Sequence, residues 1–351
     1  MTTNGAASGK NLNTLPENAA DLAEKYIADI LSLAIQHSDA HNALVIYDER
    51  SSLAKVLSEA YRRCLPKSKF LNFDEMTPPA LLAEFDPLAP SDLVVLVQSA
   101  NFRLEAFRIR VELFKRSLKV IEHPHLGRME GVEAGYYIDS LAYDPVYYRG
   151  VGHALKARLD RAPGATLDSG GEKLVFASPF ETAMLNVGDY TGMRNIGGQF
   201  PIGEVFTEAK DLEAVNGRVR IALFGDTTFS VNKPERPMTL VVARGRVVDV
   251  IDSNADFDRV LAAIRAEEGE VWLREFGFGL NRALTAERTV SDIGTYERMC
   301  GVHLSLGAKH GLYKKPYFRG RVMRHHADVF AATESVILGD EVVYKDSAWQ
   351  V

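Results

Sequence analysis

The chain reads as an α/β protein in two parts: an amino-terminal α/β domain built on a parallel sheet, then an α+β domain with a barrel-like antiparallel sheet. Three observations point there. The first half alternates short apolar strands with helical stripes, which implies a parallel sheet covered by helices. The second half holds short strands divided by turns, with one amphipathic helix among them. At 351 residues the chain exceeds the size at which one core usually keeps growing, so two domains are expected.

Residues 1–16 are small and polar, with no apolar core of a secretory peptide, and are expected to form a disordered tail. The α/β domain is assigned to 17–168. Pro16–His37 places Leu22, Ile27, Ile30, Leu31, Leu33 and Ala34 on a helical stripe. Asn42–Tyr47 is an apolar strand, and the Asp48-Glu-Arg-Ser-Ser that follows can cap a helix over Leu53–Cys64. The pattern then repeats: strand Lys69–Asn72, helix Pro78–Phe85, strand Ser91–Val97, helix Phe102–Leu118, strand Lys119–Glu122. No Gly-x-Gly-x-x-Gly follows the first strand, so a dinucleotide site is not supported. His123 and His125 end a strand, where α/β sheets place ligands, but no neighbour completes a coordination set.

Pro163–Gly171 is polar and glycine-rich, and the domain boundary is placed there, with the second domain at 172–351. Strands are expected at Lys173–Ala177, Val219–Phe224, Thr239–Ala243 and Arg246–Ile251, with Arg244-Gly245 forming a hairpin and a helix at Phe257–Glu267.

Composition narrows the function. With 46% apolar and 25% charged residues the chain has a soluble globular make-up. No apolar run approaches the ~20 residues that span a bilayer, so no membrane partner is expected. Cys64 and Cys300 lie far apart and offer no disulfide framework, which fits a reducing cytoplasm. A net charge of −6 argues against nucleic acid, and the basic stretches Lys314-Lys315 and Arg319–Arg324 read as solvated loops.

One stretch stands out chemically. Leu273-Arg-Glu-Phe-Gly-Phe-Gly-Leu-Asn281 sets a single carboxylate, Glu275, in an apolar run bent by Gly277 and Gly279. A carboxylate there needs a partner or a cation, and Arg274 and Arg282 are the ordinary partners at hand. Further along, Glu204 follows a Pro-Ile-Gly turn, and His303 lies in an alternating strand sharing a face with Ser305 and with Gly301 or Gly307. His326 and Asp328, two apart, point the same way in extended backbone. Three carboxylates and two imidazoles suit a two-metal centre that activates water. A His-x-Asp pair with one further ligand also describes a mononuclear iron site. On spacing alone, unrelated core and surface residues account for the set equally well.

The series Gly-Glu-Val-Phe-Thr at Glu204, Glu-Phe-Gly-Phe-Gly-Leu-Asn at Glu275, Val-His-Leu-Ser-Leu-Gly at His303, and His-x-Asp at His326 and Asp328 resembles the M29 metallopeptidases, the aminopeptidase T and aminopeptidase S family. Order and approximate spacing match through the second half, while the first half is similar only in its α/β texture. The resemblance implies that Glu204, Glu275, His303, His326 and Asp328 ligate two divalent ions of the zinc, cobalt or manganese class. His325 would be a neighbour. The implied reaction is hydrolysis of an N-terminal residue from a peptide, in a homodimer. One departure concerns the family's tyrosine seven residues after the motif histidine; here that position is His310, which can donate a hydrogen bond or move a proton.

The 2,5-dihydroxypyridine dioxygenases are similar to this family and hold one Fe(II) through a histidine at the Glu275 position and the His-x-Asp pair. Glu275, Glu204 and His303 set this chain apart from that pattern. A third reading is a catalytically silent scaffold that binds a peptide ligand, for instance a precursor peptide presented to modifying enzymes.

Overall fold

A computed structural model of the chain describes residues 15–104 and 107–351, so nearly all of the expected tail at 1–16 lies outside the described residues. Leu93–Val97 and Lys119–His123 are buried at every position, as strands covered on both faces must be. They join Ala43–Tyr47 and Lys69–Asn72 in a parallel sheet ordered Gly197–Gln199, Lys119–His123, Leu93–Val97, Ala43–Tyr47, Lys69–Asn72. Alternation along the strands divides the apolar residues between two cores. Val45, Val95 and Ile121 pack with the helices Ala19–Asp29 and Ser52–Cys64. Leu44, Val94 and Val120 face Leu81, Ile109 and Leu113 on the other side. Ser51 caps its helix as read, its Oγ accepting from the Ala54 amide at 3.2 Å.

The second sheet is antiparallel, has fourteen strands, and curls into a half-barrel. Its centre runs Val215–Gly225, Ala327–Ala331, Gly301–Leu306, Leu273–Gly279, Glu204–Glu208. Met238–Ala243 and Arg246–Ile251 pair through the expected hairpin at Arg244-Gly245. The helix expected at Phe257–Glu267 spans Ala255–Glu268, with Asn254 Oδ1 accepting from the Phe257 amide at 2.8 Å.

Two expectations are corrected. The helix read over Phe102–Leu118 is confined to Ile109–Lys115, and Arg103–Leu104 pairs with Phe107–Arg108 as a small hairpin. Phe102 does not enter a helix because its amide donates to Gln98 Oε1 at 2.6 Å and its ring stacks on Phe73, centroids 4.1 Å apart. The stretch Pro163–Gly171, read as punctuation, contains the strand Ala165–Ser169, which pairs with Glu172–Phe176 and Ser335–Leu338 in the antiparallel sheet. Its alternation of buried Ala165, Leu167 and Ser169 was masked by flanking glycines. Beyond that stretch, Gly197–Gln199 crosses back to the parallel sheet, so the carboxyl ends of the first sheet and the face of the second meet at one cleft.

Candidate metal centre

Strand register gathers the site. Glu204 lies opposite Gly279, His303 opposite Gly277, and Asp328 opposite Ser305, two residues on from His303. Directly paired residues share a face, so Glu204, His303 and Asp328 emerge on one side of the sheet. A bulge between Leu273 and Phe276 places one extra residue in that strand, and Glu275 sits within it, its amide donating to Ser305 Oγ at 3.0 Å. The opposite face is apolar: Phe276 stacks on Phe176 with centroids 4.3 Å apart, and Phe278 packs on Trp349.

Glu204, Glu275 and His303 converge, each offering a ligand atom within 4.8 Å of the others, and all three are buried. His303 Nε2 lies 3.3 Å from Glu204 Oε1 and 3.2 Å from Glu275 Oε1. The bland partners are excluded, because Arg274 pairs with Glu208 and Arg282 lies 3.7 Å from Asp144. Gly277 makes the room: a Cβ there would fall 2.0 Å from His303 Nε2.

His326 and Asp328 form a second pair at the cleft. His326 Nε2 lies 3.1 Å from Asp328 Oδ1 without hydrogen-bond alignment, which leaves that buried oxygen with no donor. His326 Nδ1 donates to the Lys309 carbonyl at 3.1 Å, so in the neutral ring Nε2 carries the lone pair. A backbone carbonyl behind the ring is the usual support of a metal-binding imidazole. His303 Nδ1, in contrast, is buried without a partner.

His310 joins the same carboxylate. Its Nδ1 accepts from the Leu312 amide at 3.2 Å, so Nε2 bears the proton and donates to Glu275 Oε2 at 3.0 Å. Burial by itself would raise the pKa of Glu275, yet hydrogen bonds from His303 and His310 hold its carboxyl well below the usual range. Burial would lower that of His303, but the carboxylates of Glu204 and Glu275 push it up to about 10. For His326, burial is likewise outweighed by the charge of Asp328, and the ring rises to about 10. Carboxylates this hungry for a cation, one orphaned oxygen and imidazoles in reach fit a divalent ion of borderline hardness.

The cleft beside these groups has a volume of about 400 Å³ and is lined by Phe102, Pro124 and Gln199 from the parallel-sheet side and by Glu297, His326 and Asp328 from the other. It lies beyond the carboxyl ends of the parallel strands, the usual place for ligands in such sheets. A larger hollow of about 670 Å³ lies at the amino ends of those strands, lined by His37, Lys67 and Glu84. Among the described residues the convergent metal-type cluster is Glu204, Glu275 and His303, and it shares its sheet face with Asp328, which lines the first cleft.

The His123 and His125 pair is accounted for structurally. Tyr61 Oη lies 2.7 Å from His123 Nε2, Tyr137 Oη lies 2.8 Å from Nδ1, and His125 Nδ1 bonds Asp292 at 2.8 Å. Missed in the sequence were Arg298, buried with Nη2 3.4 Å from Glu204 Oε2, and the half-buried Glu297, whose carboxylate pairs with Arg298. Their one trace is a charged pair in the apolar stretch entering the His303 strand.

No protein-family model matches the chain. No curated protein matches it either. Among solved structures, wild-type AmpT from Thermus thermophilus aligns with a TM-score of 0.57 over 94% of this chain and 99% of that chain, at 14% identity. The chain shares the AmpT fold. At that identity the likeness speaks for architecture, and the site must be argued from its own residues. Among the described residues no helix is long and apolar enough to cross a membrane.

Proposed function

We propose that the chain is a metal-dependent, aminopeptidase-like hydrolase that removes N-terminal residues from peptides. The observation that carries this reading is the convergence of Glu204, Glu275 and His303 on one buried point, on the sheet face shared with Asp328, which lines the cleft. His326 and Asp328 would complete the centre from the cleft side, giving the five-residue ligand set that the motif resemblance assigns to two ions. The AmpT fold over nearly the whole chain supports the same reading. A bound divalent ion would supply a Lewis acid and lower the pKa of water at the scissile carbonyl.

The chain's own residues do the rest. Glu275 is fixed on both oxygens, by His303 and His310, so its orientation is set before substrate arrives. His310 holds its Nε2 proton against Glu275 Oε2, so it positions that carboxylate and is placed to donate a hydrogen bond to an oxygen that gains negative charge beside it. Asp328 and Glu297 line the cleft and would receive the positively charged amino terminus of a peptide. The mononuclear-iron reading needs Glu275 to act with His326 and Asp328, whereas Glu275 is instead shared between His303 and His310.

The test is incubation of peptides with protein supplied with zinc, cobalt or manganese, followed by mass spectrometry. Stepwise loss of single N-terminal residues, abolished by chelator and by Glu275→Ala, is expected. Peptide binding without cleavage, unchanged by that substitution, would overturn the hydrolase in favour of a silent peptide-binding scaffold.

A further inference from the structure

Resting on the metal-centre reading above, we propose that the site takes one divalent ion, not two, because the guanidinium of Arg298 permanently occupies the place of a second cation on Glu204. The two oxygens of Glu204 are already divided. Oε1 lies 3.3 Å from His303 Nε2, within the convergent triad, and Oε2 lies 3.4 Å from Arg298 Nη2. A carboxylate that bridges two ions through its two oxygens needs both of them free.

The guanidinium is built in. Arg298 is only 6% exposed, its Nη1 donates to the Gly294 carbonyl at 3.1 Å, and the same nitrogen pairs with the Glu297 carboxylate. Its backbone is seated by Gly279, the residue opposite Glu204: a Cβ at 279 would fall 1.8 Å from the Met299 carbonyl oxygen and 2.8 Å from the Arg298 carbonyl carbon. The Arg298 carbonyl also accepts from the Asn281 amide at 2.8 Å, tying the segment to the end of the Glu275 strand. An arginine stays charged in any protein environment, so it cannot yield its place by losing a proton.

Charge is a further constraint. Glu204, Glu275 and Asp328 bring three negative charges, and the guanidinium already offsets part of the charge on Glu204, so an ion added after the first finds less carboxylate charge to hold it. Ligand geometry points the same way: among the described residues the convergent set is Glu204, Glu275 and His303, while His326 and Asp328 make a pair of their own with too few donors to close a second site. Arg298 is therefore a positioning and charge-balancing residue.

Metal-free protein titrated with zinc or manganese and examined by native mass spectrometry tests this. Wild type and Arg298→Lys should each bind one ion per chain. Arg298→Gln, which frees Glu204 Oε2 and removes the charge, should bind two. Manganese-loaded wild type should show the spectrum of an isolated ion by electron paramagnetic resonance, a readout that stands even if Arg298→Gln does not fold. Two ions in wild type, or a coupled manganese pair, would overturn the proposal and leave the metal centre intact. One ion in both wild type and Arg298→Gln would remove Arg298 as the cause and overturn it as well. No ion in any of the proteins would remove the metal centre itself, and this proposal with it.

Discussion

Gly277→Ala is the smallest change that reaches the site. The added Cβ would stand 2.0 Å from His303 Nε2 and 2.2 Å from its Cε1. Ordinary contact begins near 3.4 Å, so the imidazole must retreat by more than an ångström. It has little room, because the ring is 1% exposed and lies against Phe330 on the neighbouring strand. Overpacking of this kind costs about 1–3 kcal/mol. Unfolding entropy for 351 residues is roughly 0.7 kcal/mol/K, so Tm should fall by about 1–4 °C. The larger effect falls on metal affinity. Loss of a supporting contact behind a ligand already weakens binding about 10- to 100-fold, and displacing His303 itself should weaken it by at least as much. Isothermal titration of metal-free protein with zinc, beside thermal unfolding, measures both. A variant with wild-type affinity and Tm would refute the placement of His303 in the centre.

Other consequences are equally direct. His310→Ala removes the proton held against Glu275 and should lower kcat by about 10²–10⁴-fold while metal content stays at the wild-type level; unchanged kcat would release His310 from any catalytic role. Arg274→Met leaves Glu208, fully buried, with only Lys315 at 3.3 Å, and chemical denaturation should show a loss approaching the ~3–5 kcal/mol of a broken buried pair. Burial lowers the pKa of His123 from 6.5 to about 3. The unfolded chain therefore binds a proton that the fold refuses, so this contribution is complete above pH 6.5 and is lost as pH falls toward 3. Urea unfolding should show about 2–3 kcal/mol of this loss by pH 4.5. His123→Gln should flatten that slope, and an equal slope in both proteins would count against the buried neutral ring.

Much of the fold was legible because it is written in apolar periodicity. The strands at Asn42–Tyr47, Lys69–Asn72 and Lys119–Glu122 and the helix at Leu53–Cys64 appear within a residue or so of where apolar runs and a capping serine placed them. Ala165–Ser169 was hidden because its alternation is short and carried by small or polar residues between glycines. The helix read from Phe102 failed because a side-chain acceptor, Gln98, captured the Phe102 amide, a contact no periodicity records.

The site was legible in its parts and not in its assembly. Glu204, Glu275 and His303 could be singled out by type and setting, but they meet only because three strands pair in a particular register. Arg298 was invisible for the same reason: nothing about its neighbours in the chain reveals that Gly279, on another strand, lets it reach Glu204.

The central claim is that Glu204, Glu275 and His303 form a metal centre. Elemental analysis of gently purified wild type and Glu275→Gln, after equilibration with a trace of zinc, cobalt and manganese and removal of free ions, tests it most directly. The account predicts a divalent ion retained stoichiometrically by wild type and lost from the variant. Wild type free of metal, or a variant that retains as much, would contradict it.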